Sequence, residues 1–279
     1  AMRARGAQVT DIVVLVVAAD DNVMPQTVEA ISHAQAAGVP IIIAINKSDE
    51  PEANPDRIRQ QLADRNILVE EWGGKYQCVE ISARTGKNID LLLEKVLLEA
   101  DVLNLRANAG RLARGVVVEA QVDKGKGTVA TVLVQKGTLR VGDSFVAGVQ
   151  SGRVRAMFDE RGRRIESAAP STPAQILGFD GVPQAGDGFV VMEHEREARE
   201  ISLRRQQLKR EQDFRLIRSM TLNDLSKRIQ DGEVKELKVI VKGDVQGSVE
   251  ALAASLEKLT AEKVALRVIH KGTGNIVNS

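Results

Sequence analysis

Apolar residues run almost unbroken from Ile12 to Ala18 and again from Ile41 to Ile45, the pattern of strands buried on both faces of a parallel sheet. Between them, Pro25-Gln26-Thr27 opens a segment with Val28, Ile31, Ala34 and Ala37 at helical spacing, and Gly38 followed by Pro40 stops it. Asn54-Pro55-Asp56 reads as a cap, a proline at the first helical position and an acid in the first turn, predicting a helix to about Asn66. A third strand, Cys78 to Ile81, follows a Trp72-Gly73-Gly74 turn, and Ile89 to Ala100 has the period of a third helix. The order βαβαβα predicts a doubly wound α/β domain over residues 1–104.

Beyond Leu105 the period changes to short runs rich in valine and threonine, broken by glycine: Val116 to Val122, Thr128 to Gln135 and Phe145 to Val149. This predicts an all-β barrel over 105–192. From Glu193 to Arg218 the chain is charged, with Ile201, Leu208, Phe214 and Ile217 among its few apolar residues. So sparse a stripe predicts a mostly solvated linker helix, placed within 193–236. Thr221 with Asp224 three residues on predicts a helix restart that ends at Asp231-Gly232. Leu237 to Val241 then reads as a strand, Ser248 to about Leu259 as a helix and Val264 to Ile269 as a strand, the start of a second α/β domain over 237–279.

Composition narrows the chemistry. The 279 residues carry 39 Lys and Arg against 38 Asp and Glu, a formal charge of +1, so any basic surface must be local. The single Cys78 permits neither an internal disulfide nor a cysteine metal cage, and a cytoplasmic location is the expectation. No apolar run approaches the ~20 residues that span a bilayer, and Ala1-Met2-Arg3-Ala4-Arg5 lacks the apolar core of a signal peptide, so no membrane partner is expected. The seven aromatic residues are too scattered for a base-stacking platform.

The sharpest feature is Asn46-Lys47-Ser48-Asp49, placed where the second strand ends. In an open parallel sheet the carboxyl edge is where ligands bind. Ser82-Ala83-Arg84 ends the next strand, where a tight turn can point a backbone N–H at the same ligand. The chemistry is that of guanine recognition. An ionised Asp49 accepts from the base's ring N–H and exocyclic amine, Asn46 offers an amide to its acceptor edge, and the Lys47 stem lies along the ring. Adenine presents the wrong donors to that carboxylate. The competing reading is a polar loop that caps the following helix.

These residues resemble the GTP-binding domain of translational GTPases, and the flanking text is similar to the bacterial translation initiation factor 2 family. Arg3-Ala4-Arg5-Gly6-Ala7 looks like the segment after that family's second switch, and Ala19-Asp20-Asp21 with Met24-Pro25-Gln26-Thr27 like the strand end and helix start that follow. Gly125-Lys126-Gly127-Thr128-Val129-Ala130, Gln135-Lys136-Gly137-Thr138-Leu139 and Val141-Gly142-Asp143 are similar to its barrel domain. Lys242-Gly243-Asp244-Val245-Gln246-Gly247-Ser248 looks like the opening of its third domain. Asn22 stands where the family usually has glycine, and Arg84 where it usually has lysine; asparagine tolerates a left-handed turn.

The resemblance implies GTP or GDP as cofactor, with Asn46, Lys47, Asp49, Ser82, Ala83 and Arg84 at the base. It implies the ribosome, through ribosomal RNA, and initiator transfer RNA as partners of a monomeric protein that times subunit joining by GTP hydrolysis. The 279 residues hold no G-x-x-x-x-G-K-[ST], switch-one threonine or Asp-x-x-Gly-His, the family's devices for the phosphates, magnesium and attacking water. The expectation is therefore an internal segment that contacts guanine only, lacks the magnesium ligands and is inactive by itself. A non-enzymatic ribosome-binding module with no nucleotide function is the rival expectation, and a specialised elongation factor a weaker one that the third-domain text argues against.

Three further features are ambiguous. Gly243 to Ser248 joins a strand to a helix like a phosphate cradle, but it lacks the P-loop lysine and reads better as a tight turn. Arg153, Arg155, Arg161, Arg163 and Arg164 form either a phosphate-contacting surface or a solvated hairpin. His33, His194 and His270 read as structural or solvated.

Overall fold

A computed structural model describes residues 2–123, 125–218, 235–243, 245–258 and 264–273. The chain divides into two compact units, Ala1–Arg106 and Ala107–Ser279.

In the first unit, α1 (Met2–Val9) leads into β1 (Val13–Ala18), α2 (Pro25–Ala37), β2 (Ile41–Asn46), α3 (Pro55–Ala63), β3 (Gln77–Glu80) and α4 (Ile89–Leu103). The three strands are parallel in the order β1-β2-β3, with Val13 beside Ile41 and Ile42 beside Gln77. The punctuation follows from side-chain and backbone chemistry. Gly38 ends α2 at φ +69°, a left-handed cap that costs glycine nothing. The Asn54 side chain accepts from the Arg57 N–H at 3.0 Å and caps α3. That helix stops at Ala63, short of the expected Asn66, which itself turns at φ +62°.

All five residues from Ile41 to Ile45 are buried, so the central strand is enclosed on both faces. Leu15, Val17, Ile43 and Ile45 pack with Ile31, Ile58 and Leu62 on one face. On the other, Ala44, Val79 and Ile81 meet Ile89 and Leu92 of α4. The expectation that the first strand is buried on both faces fails: Val14 and Val16 are 39% and 56% exposed. The helix on that face, α4, packs on β2 and β3, and a strand's apolar run does not reveal where its covering helix lies.

In the second unit, β4 (Arg114–Asp123), β5 (Gly127–Lys136), β7 (Ser144–Ala147), β8 (Gln150–Phe158), β11 (Pro173–Phe179) and β12 (Gly188–Met192) form a closed antiparallel circuit, β11-β5-β4-β12-β7-β8 and back to β11. Short β9 (Arg164–Ile165) extends β8, and β6 (Leu139–Arg140) pairs with β10 (Ser167–Ala168). Inward residues fill the barrel, led by Phe145, Phe189, Met157, Leu139 and Ile176; the Phe145 and Phe189 ring centres are 4.7 Å apart. Glycine is required where β8 crosses β11, because a Cβ on Gly152 would lie 2.2 Å from the Gly178 carbonyl oxygen. The strand from Phe145 stops at Ala147 because Gly148 turns at φ +57° into β8.

The charged segment is one helix, α5 (Glu195–Arg218), exposed over most of its first half as expected but anchored along one side. Ala198 and Ser202 are buried at 1% and 3% exposure. Ser202 Oγ donates to the Val149 carbonyl at 2.8 Å and Gln206 Nε2 to the same oxygen at 3.1 Å, while Arg205 donates to the Gly148 carbonyl at 2.8 Å. The helix docks through polar donors on the β7–β8 turn, a mode that an apolar stripe does not report. Leu203, Leu208 and Phe214 remain exposed.

The predicted restart at Thr221 and its end at Asp231-Gly232 lie outside the described residues. Beyond them, β13 (Lys235–Gly243), α6 (Gln246–Lys258) and β14 (Val264–Thr273) form a parallel βαβ unit with Leu237 beside Leu266. A Cβ on Gly243 would lie 3.0 Å from Val249 Cγ2, so close strand–helix packing accounts for this glycine.

Candidate functional site

Because β1, β2 and β3 run parallel, their carboxyl ends deliver three loops to one edge. The backbone ties them together: the Ala19 N–H donates to the Asn46 carbonyl at 2.7 Å, and the Ser48 N–H to the Ile81 carbonyl at 3.2 Å. Asn46, Lys47, Asp49, Ser82, Ala83 and Arg84 therefore meet at one place, although the two motifs are more than thirty residues apart.

Asn46 Oδ1 accepts from the Ala83 N–H at 2.9 Å. The bond aims the asparagine so that its Nδ2 donor stays available, but it takes the backbone N–H that the sequence assigns to a ligand. Lys47 holds a left-handed backbone at φ +64°. Its ammonium donates to Asp20 Oδ2 at 2.7 Å, which lowers the Asp20 carboxyl below the usual carboxylate range and raises the lysine. Sequence reasoning misses Asp20 and its role in fixing the lysine. The readable signal is that Ala19-Asp20-Asp21 ends the strand beside β2 in parallel register.

Asp49 lies between two donors. The Ser82 hydroxyl beside its carboxylate is the main cause holding it below the usual carboxylate range, opposed by partial desolvation and aided by Arg84. Arg84 Nη2 donates to Asp49 Oδ2 at 2.5 Å, and Arg84 Nη1 lies 3.2 Å from Glu50 Oε1. Ser82 is fully buried, and its Oγ accepts from the Thr85 N–H at 3.1 Å, fixing the turn. The neighbouring Ser48 Oγ is buried with no hydrogen-bond partner in the protein. Asn22 does not adopt the left-handed backbone its position suggested; its side-chain carbonyl instead accepts from Arg57 and from Gln61 Nε2, the latter at 2.9 Å.

One carboxylate, one aimed amide donor and a lysine stem are the groups that a planar base with a donor pair on one edge would require. Guanine, with adjacent ring N–H and amine, fits this set.

The remaining sequence candidates lie elsewhere. His33 is 3.4 Å from Glu29 on α2, and His194 and His270 are exposed. The five arginines separate: Arg163 pairs with Asp159 at 2.7 Å, Arg161 with Glu160 at 3.7 Å, and Arg164 lines a shallow cleft with Arg140 and Glu166. Arg153 and Arg155 instead line a cleft with Arg199 of α5, Asp180 and Glu195.

Comparison with known proteins agrees over the whole chain. Residues 1–101 match the elongation factor Tu GTP binding domain, 112–192 elongation factor G domain 2, and 211–279 translation-initiation factor 2. The translation initiation factor IF-2 of Christiangramia forsetii is 61% identical over 279 residues, and that of Chloroherpeton thalassium 59% identical over 281. All of this chain is covered, but it spans only 30% and 26% of those relatives. Among solved structures, GDP-bound aIF5B from Aeropyrum pernix shares the fold at 23% identity and a TM-score of 0.62, over 97% of this chain and 51% of that one. Bacterial selenocysteine-specific elongation factor EF-Sec aligns with a TM-score of 0.53 over 67% of this chain and 32% of its own. With every residue matched to such relatives, and the three matched domains following one another along the chain, the chain is similar over its full length to a segment of translation initiation factor IF-2.

Proposed function

We propose that this chain supplies the base-recognition half of the guanine-nucleotide site of a GTP-binding translation initiation factor. The observation that carries the reading is the meeting of Asn46, Asp49 and Ser82 at one sheet edge, with Asp49 held ionised. Asp49 accepts from the guanine ring N–H and amine, the Asn46 amide donates to its acceptor edge, and the Lys47 stem, anchored on Asp20, lies along the ring. Residues 1–104 act as part of the GTP-binding domain, 105–192 as the barrel domain, 193–236 as a linker and 237–279 as part of the third domain. In the whole protein, GTP hydrolysis times initiator transfer RNA placement and ribosomal subunit joining in the cytoplasm. The protein acts as a monomer, with the cleft of Arg153, Arg155 and Arg199 facing ribosomal RNA phosphates.

The residues fit the base and not the phosphates or magnesium. No G-x-x-x-x-G-K-[ST] occurs in the 279 residues, and a triphosphate needs a nest of backbone N–H groups, a lysine and magnesium. Base contacts alone supply a few kcal/mol after desolvation. Calorimetry of this chain with GDP should give nothing tighter than about millimolar, near −4 kcal/mol. A longer chain carrying a phosphate-binding loop should bind GDP tightly, and Asp49→Asn in it should shift preference from guanine towards xanthine. Micromolar GDP binding by the 279 residues, or an Asp49→Asn variant that still prefers guanine, would sink the reading. The second reading, a ribosome-binding module without nucleotide function, is favoured by one observation: Asp49 and the Ala83 N–H are already partnered within the protein.

A further inference from the structure

We propose that Arg84 occupies the base-recognition carboxylate when no base is bound, so that guanine must displace its guanidinium from Asp49. The inference rests on the guanine reading above and adds to it a residue that sets affinity.

A guanidinium and the guanine edge present the same chemistry to a carboxylate, adjacent N–H donors in one plane. They compete for Asp49, whose side chain is only 16% exposed and whose Oδ2 Arg84 already holds, because a base with two adjacent donors needs both carboxylate oxygens. Arg84 Nη2 sits 2.5 Å from Asp49 Oδ2, where a base donor would sit. Ser82, by contrast, is fully buried and fixed in the turn by the Thr85 N–H, so it remains in place when the base arrives. The Arg84 side chain is 70% exposed and has a second anchor, Glu50, at 3.2 Å. It can leave Asp49 without being stranded, because Glu50 and water both accept its donors. The Asn46–Ala83 bond uses the Ala83 backbone and does not depend on the Arg84 side chain. Exchange at Asp49 therefore leaves the rest of the site in place.

The consequence is a lowered apparent affinity, since the binding-competent state is only the fraction in which Asp49 is unpaired. An exposed ion pair of this kind corresponds to roughly a two- to fivefold effect.

The test is titration of isotope-labelled chain with GMP, followed by amide shifts near Ala83 and by the Asp49 carboxyl resonance across pH. Wild type, Arg84→Ala and Asp49→Asn are compared. Arg84→Ala should bind GMP about two- to fivefold tighter. Its free Asp49 carboxyl should titrate at higher pH than in wild type, having lost a neighbouring cation, and Asp49→Asn should lose the response to GMP. Equal or weaker GMP binding by Arg84→Ala, with wild type still responding to GMP and not AMP, overturns the role of Arg84 and leaves the guanine reading intact. No response to GMP in any of the three proteins overturns both.

Discussion

The Ser202 hydroxyl donates to the Val149 carbonyl at 2.8 Å, joining α5 to the turn between two barrel strands. With Gln206 on the same oxygen and Arg205 on Gly148, α5 is held along one side up to Gln206, whereas residues 207–212 and Phe214 are exposed. Backbone amides of residues 199–206 should exchange at least about tenfold more slowly than those of 208–214. Ser202→Ala should cost about 0.5–1.5 kcal/mol and narrow that difference. Equally fast exchange along the whole helix would show that it does not dock in solution.

Arg161 and Arg163 lie on the hairpin beside Glu160 and Asp159, whereas Arg153, Arg155 and Arg199 outnumber Asp180 and Glu195 in the cleft they share. Replacing Arg153, Arg155 and Arg199 by alanine should weaken ribosome binding and make its salt dependence shallower, by about one unit of log–log slope for each phosphate no longer neutralised. Replacing Arg161 and Arg163, which face Glu160 and Asp159, should leave the slope unchanged. The opposite ranking would assign phosphate binding to the hairpin.

Cys78 is buried in β3, and burial pushes its thiol from 9.0 up to about 11, partly opposed by Arg59. The unfolded thiol then loses its proton before the folded one does. Its contribution to stability is present in full below pH 9.0 and is lost as pH rises towards about 11. Urea midpoints should fall over that interval, less steeply in Cys78→Ala. A thiol reagent should fail to label the native chain at neutral pH and label it once unfolded. Rapid native labelling would contradict the burial.

How far the sequence could be read follows from where its information sits. Gly38, Asn54 and the apolar run at Ile41 act within a few residues, so the helices and central strand of the first unit were legible. The meeting of Asn46 with Ala83 was legible because both motifs end parallel strands, and such strands share an edge. The docking of α5 was not, because Ser202, Arg205 and Gln206 look solvated until the Gly148–Val149 carbonyls are placed beside them. The pairing of Arg84 with Asp49 was hidden likewise: a charge at a strand end announces a site but not what already occupies it. The open face at Val14 and Val16 depends on where α4 lands, which no local period encodes.

The central claim is that Asn46, Asp49 and the Ser82–Arg84 turn read a guanine edge. The most direct measurement is a paired titration of labelled chain with GMP and AMP at equal millimolar concentrations, following the Asn46 side-chain amide and the Ala83 backbone amide. The account predicts concentration-dependent shifts at both with GMP and none with AMP, abolished by Asp49→Asn. Equal shifts with the two nucleotides, or guanine-selective shifts that survive Asp49→Asn, would contradict it.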